Sequence, residues 1–337
     1  MILRIFRKSY LPQYLILAVL ATLLWGGAFV SPPGLPDAGN PYLNPGYDLL
    51  IRMFGNNPLL YALTAFLLML ASALLFNLTV EKNGLSESNS LIPAFIFILV
   101  MSLFPSLQTL HPAMIPGFLA VVVLYHVFDI YTEAEAYPKV FNSGFYIALS
   151  SFFYFPSIVF LLFVWSTFVV YRLYSWREWV ILLFGFLTPY VLLWTWFFWA
   201  DELALVFDAY RAYFSPKWMP GIPQGLTILN YVSAGLLAFL FIRGLFTQAL
   251  SMQEKVISVR KRFWAVILFF LVALASFLFS GNLAQYHMVF IQLSFALVIQ
   301  GLMFHLRKVI ITDILLWLIL VLVLFNNYYV AFLSLVL

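Results

Sequence analysis

Residues 11–30, LPQYLILAVLATLLWGGAFV, form a nearly unbroken apolar stretch, and stretches of similar length recur to the end of the chain. A helix needs about 20 such residues to cross a hydrocarbon core about 30 Å thick. Only 9% of the residues are charged and 64% are hydrophobic, against about 25% and 45–50% in a soluble domain. No stretch is left over for a soluble domain. The predicted fold class is therefore all-α: a polytopic integral membrane helical bundle, with residues 1–337 as one domain.

Hydropathy places spans near 11–30, 58–80, 91–104, 114–130, 179–200, 226–247, 263–280, 288–304 and 309–325, with a longer stretch, 141–171, that carries Pro156 near its middle. Cytoplasmic loops concentrate Lys and Arg, and this bias decides whether 141–171 is one kinked helix or two short ones. Two helices leave thirteen of the 17 basic residues in inside loops and three, Arg52, Arg211 and Lys217, outside; one helix leaves seven inside and nine outside. Two helices are expected, and with them about 11 membrane segments. The N-terminus is then cytoplasmic, the C-terminus lies outside an inner (plasma) membrane, and Pro156 sits at an outer turn.

Each half of the split has about 15 residues, roughly 23 Å of helix. The pair is therefore expected to be tilted or re-entrant. The stretch 91–117 has the same character, with Pro105, Pro112 and Pro116 in its turn. Irregular backbone at this depth is found where protein buries it or water reaches it, so both places are expected to border a cavity. The basic start, MILRIFRKSY, leads into a retained first helix rather than a cleaved signal peptide, since no A-x-A-like site follows.

Cysteine is absent, which excludes disulfides and thiol chemistry. H-E-x-x-H, G-x-S-x-G, P-loop and G-x-G-x-x-G patterns are missing too, and His111, His126, His287 and His305 show no metal-ligand spacing. The net charge of +4 reports loop orientation before any anionic partner, and no nucleic-acid partner is expected.

Candidate site residues gather on the predicted outer side. Loop 31–57 presents Asp37, Asp48 and Arg52; the turn after the third span adds His111. Loop 201–225 adds Asp201, Glu202, Asp208, Arg211 and Lys217, and the turn NLAQYHM adds His287. Loop 201–225 opens like an amphipathic surface helix, with Leu203, Val206, Phe207 and Tyr210 as its apolar stripe. The tryptophans of WTWFFWADE read as an interfacial belt before a sugar-stacking platform. His126 and Asp129, three apart, are expected to form a structural pair near the inner end. The basic segment MQEKVISVRKRFW reads first as a topology determinant and second as a contact for anionic lipid or a partner.

Several of these stretches carry a resemblance: GYDLL after the first helix, NPLLYALTAFLLML with the turn EKNGLSESNS, then LFPSLQTLHPAM, and NSGFYIALSSFFYFPSIVFLLFVW ending in YRLYSWREW. The chain resembles an uncharacterised Bacteroidota family of polytopic inner-membrane proteins. More distantly it is similar in layout to the GT-C membrane glycosyltransferases, which take sugars from polyprenyl-phosphate carriers. That likeness implies an outer-face enzyme with Asp48 as base and Asp37 as runner-up. Arg52, Arg211 or Lys217 would meet the carrier phosphate, and a divalent metal is a possible cofactor. The chain departs from the pattern in its short first loop, which lacks an adjacent acidic pair, and in having no large periplasmic domain. A non-catalytic membrane subunit of an envelope assembly, with a membrane-protein partner, is the alternative, and a transporter comes third.

Overall fold

The structure, a computed structural model, describes residues 5–37, 39–133, 135–214, 227–305 and 310–336. Its helices, in chain order, are α1 (Leu11–Val30), α2 (Pro45–Phe54), α3 (Pro58–Lys82), α4 (Ile92–Met101), α5 (Met114–Ile130), α6 (Tyr137–Phe153), α7 (Phe160–Tyr171), α8 (Trp176–Trp199), α9 (Leu203–Tyr213), α10 (Ile228–Ser251), α11 (Ile257–Phe277), α12 (Ala284–His305) and α13 (Ile310–Val336). Many helix starts follow local chemistry. Proline stands in the first turn of α1, α2, α3, α4 and α6, where its missing N–H costs nothing. The side chains of Asn57, Ser175 and Thr227 cap α3, α8 and α10.

Among the described residues, six helices are long and apolar enough to cross a membrane: α1, α3, α8, α10, α12 and α13. Shorter apolar helices cover 92–101, 114–130 and 155–171. These are the helices of an integral membrane protein. Large apolar residues such as Leu15, Leu67, Leu192, Phe246 and Phe325 are exposed on α1, α3, α8, α10 and α13, a surface suited to lipid. Burial separates centre from rim: 83% of the α12 window is buried, against 33–39% for the other five.

The stretch 141–171 is two helices. α6 and α7 are divided by a 3-10 turn at Phe155–Val159. α6 and α8 run parallel, because Phe141 lies against Gly185, Gly144 against Leu182 and Phe186, and Ser151 bonds to Tyr190 at 2.7 Å. α7 must therefore return to the end from which α6 started, and Tyr131, just before α6, meets Tyr171 at the end of α7 with ring centroids 5.3 Å apart.

α4 is shorter than the 91–104 span expected from hydropathy, and nine of its ten residues are buried. A helix leaves its last four carbonyls without intrahelical donors, and here side chains bond Val100 O, the Ser102 O just past the helix and the neighbouring Leu24 O of α1. Gln292 Nε2 donates to Val100 O at 2.9 Å. Gln108 Nε2 donates to Ser102 O at 3.1 Å, and Asn327 Nδ2 reaches Leu24 O at 2.7 Å and Ser102 O at 3.3 Å. Lipid gives helices no hydrophobic reason to associate, so such bonds and close packing hold the centre. The last helix continues through 326–336, which includes NNYYVAFLSLV.

Candidate functional site

Contacts sort the connections into two ends. At one, the loop end, Asn44 Oδ1 accepts from Phe155 N at 2.9 Å. The Phe155 ring also packs on Tyr210 and Tyr213 of α9, and Tyr213 Oη donates to Phe279 O. At the other, the basic end, Leu91 N donates to Phe6 O at 2.8 Å, and Arg262 of α11 donates to Phe128 O and Asn83 O. Loop 31–44, the 155–159 turn and α9 thus share an end, as the two-helix reading of 141–171 requires.

Within the loop end, Asp37 and His111 come together around Tyr286. The backbone N–H of Asp37 donates to Tyr286 Oη at 3.1 Å. Beneath it the Tyr286 ring stacks on His111, with centroids 5.0 Å apart and planes 10° from parallel. His111 is 1% exposed, and neither ring nitrogen has a hydrogen-bond partner. Tyr47 on α2 fixes the backbone beside it by donating to Leu110 O at 2.8 Å. Burial pushes the Tyr47 phenol well above its ordinary pKa, with further contributions from Tyr61, Tyr286 and Asp37. The phenol therefore stays a neutral donor. Asp37 itself is at the surface, its carboxylate accepting from Gly39 N at 2.9 Å.

The other predicted residues lie apart from this group. Asp48 pairs with Arg52 of its own helix at 2.8 Å, the i,i+4 geometry that one exposed helix face supplies. Arg211 pairs with Asp208 at 3.2 Å on the exposed face of α9. Asp201 and Glu202 form the bend between α8 and α9, Asp201 with φ +57°. Lys217 lies outside the described residues. His287, fully buried, faces away from Tyr286: Nδ1 meets Tyr154 Oη at 3.2 Å and Nε2 meets Ser276 Oγ at 3.0 Å and Ala273 O at 2.9 Å. It reads as a structural histidine joining α11 and α12 to the 154–159 turn.

Among the described residues no group of three or more His, Asp or Glu side chains is arranged to hold a metal ion. Asp37, Asp48, Asp201, Glu202 and Asp208 do not make such a group, so a divalent cofactor does not fit these side chains as arranged.

The expected His126–Asp129 pair is not formed. Asp129 Oδ2 instead accepts from Lys82 and Lys139, each at 2.7 Å, while His126 stacks on Tyr146 with centroids 5.7 Å apart. Two cations from neighbouring helices outcompete an imidazole for a carboxylate that is only 4% exposed. Tyr47 and Tyr286 were not among the predicted site residues. Their signal was modest: tyrosines beside the candidate Asp48 and His287.

No curated protein matches the chain, and no solved structure matches it. The profile of one family covers residues 49–334, beginning directly after Asp48. The chain belongs to this family of unknown function, DUF6427.

Proposed function

We propose that the chain is a GT-C-like membrane transferase acting on a lipid-linked sugar at its loop end, with Asp37 taking the proton of the acceptor hydroxyl. One observation supports this above others: the backbone N–H of Asp37 is tied to Tyr286 over the buried, unpartnered His111, beside the Leu110 backbone that Tyr47 holds, and Gly39 N fixes the exposed Asp37 carboxylate. A positioned carboxylate can take a hydroxyl proton in the transition state, and donors around a leaving phosphate offset its charge. Asp37 is the better candidate than Asp48, which is already paired with Arg52. The phosphate of a polyprenyl carrier would draw Arg52 or Arg211 from its carboxylate, and the lipid tail would enter between helices. The positive-inside bias supports a basic end in the cytoplasm and a loop end outside an inner membrane.

The test is to exchange Asp37→Asn and Asp48→Asn separately, measuring membrane accumulation by immunoblot and lipid-linked glycans by mass spectrometry. Asp37→Asn is expected to accumulate normally and lose the product, while Asp48→Asn keeps most of it. Full product formation by Asp37→Asn sinks the base assignment.

A non-catalytic subunit of an envelope assembly is the second reading. It is favoured by the pairing of Arg52 and Arg211 with carboxylates of their own helices, which leaves both cations already neutralised. On that reading both variants are silent and a membrane partner copurifies with the chain.

A further inference from the structure

We propose that the basic end binds the phosphate headgroup of an anionic membrane lipid in a cleft between the end of α7 and the start of α11. The cleft, about 730 Å³ in volume, is lined by Arg172, Arg260 and Lys261 together with Tyr171, Tyr174 and Trp264. No Asp or Glu is among its lining residues.

Local structure brings the three cations together. Arg172 ends α7 in a left-handed conformation, φ +61°, with its N–H donated to Val169 O. Lys261 Nζ donates to Val170 O, docking the first turns of α11 on the last turn of α7. Arg260 follows from the adjacent position on α11. Three like charges in one cleft repel each other until an anion joins them, and guanidinium groups suit phosphate oxygens.

A second observation points the same way. Tyr171, which lines the cleft, is 5% exposed, and its buried hydroxyl has no hydrogen-bond partner, an unsatisfied donor in the wall of the cleft.

The rim of the cleft selects a lipid over a soluble phosphate. Val169, Ile257 and Trp264 also line it, and each exposes more than half of its surface. An occupant with a negative head and an apolar tail covers both kinds of surface, and Trp and Tyr sit favourably at headgroup level. This cleft is at the opposite end of the bundle from Asp37 and does not depend on the transferase reading.

The test uses the purified full chain in neutral detergent, with phosphatidylglycerol, phosphatidylcholine or inorganic phosphate added. Lipid retention is read by native mass spectrometry and the midpoint of thermal unfolding by fluorescence. Phosphatidylglycerol is expected to be retained and to raise the midpoint, while phosphatidylcholine and inorganic phosphate do neither. Arg172→Gln and Arg260→Gln should each weaken that retention roughly fivefold, the factor equivalent to about 1 kcal/mol per basic residue at an anionic surface; Arg260→Lys should restore it. Equal retention of the two lipids by the wild type overturns the proposal, as does undiminished retention in the Arg172→Gln/Arg260→Gln double variant. A midpoint raised by inorganic phosphate alone overturns the lipid assignment. The wild-type comparison of lipids decides the matter even if the double variant does not fold.

Discussion

Gly144 and Gly185 mark the place where α6 and α8 meet backbone to backbone: a Cβ on Gly144 would strike the Leu182 carbonyl, and one on Gly185 the Phe141 carbonyl. Small residues at such crossings let membrane helices approach closely enough to gain dispersion energy. Because the obstacle is main chain, it cannot rotate away. Gly185→Leu is expected to cost about 3 kcal/mol or more, the upper range for overpacking. Gly235→Ala, at a helical position with nothing within 4 Å, is the control and should leave the unfolding midpoint unchanged or slightly higher.

Asp129 carries two lysines on one oxygen; without it Lys139 keeps only the more exposed Glu133, and Lys82 only the Tyr125 hydroxyl. Its side chain is 6% exposed, while those of Lys139 and Lys82 are 20% and 49% exposed. Asp129→Asn is therefore expected to destabilise by about 2–3 kcal/mol, somewhat below a fully buried pair because Lys82 regains water. Lys82→Gln should cost less, since Lys139 still holds the carboxylate. Denaturation of both variants in the same detergent checks the order.

Much of this architecture can be read from the chain because lipid imposes a length on each helix; α1 and α5 fall on the apolar stretches at 11–30 and 114–130. The division at Pro156 followed from counting charges, a property that does not require knowing any contact. Pairings between helices were less legible. Spacing along one helix pairs Asp129 with His126, whereas its partners lie on α3 and α6. The early end of α4 is equally hidden, since the amides that bond Val100 O and the following Ser102 O come from residues 292 and 327. Asp48 and Arg52 are the opposite case: their i,i+4 spacing alone predicts the ion pair that the helix forms, which ties the two candidate site residues to each other.

His111 offers a way to separate stability from function. Replacing it with phenylalanine keeps a ring against Tyr286 and removes two buried nitrogens that have no partner. A buried polar atom without a hydrogen bond costs about 1–3 kcal/mol. His111→Phe should thus match or exceed the wild type in thermal stability. If His111 serves the loop-end site, the same variant loses activity in cells while accumulating normally.

At the basic end, Arg7 and Glu87 form a two-point ion pair, with bonds of 2.9 and 2.7 Å, outside the membrane-spanning helices. The hydrogen bond from Arg7 is the main reason the Glu87 carboxyl titrates below its ordinary value, despite opposition from burial. A depressed folded-state pKa contributes stability above the ordinary carboxylate value and loses it as the pH falls through the folded value. The contribution is under about 1 kcal/mol because Arg7 is largely exposed. Wild type and Glu87→Gln should accordingly differ in unfolding midpoint at neutral pH and converge in the acid range.

The burial of α4 also bears on how the protein is made. Ten residues reach only about 15 Å, too short to stand alone across a bilayer, and the amide that closes Val100 is 192 residues further along the chain. At about 5–20 residues per second, a ribosome delivers that amide roughly 10–40 s after α4 has been synthesised. For that interval the middle of the protein exists without its lid of α12, and the nascent chain must be sheltered by the insertion machinery or remain open to proteases. A chain cut short before residue 284 would keep its first long helices yet never finish its centre, and cells should clear it rather than store it.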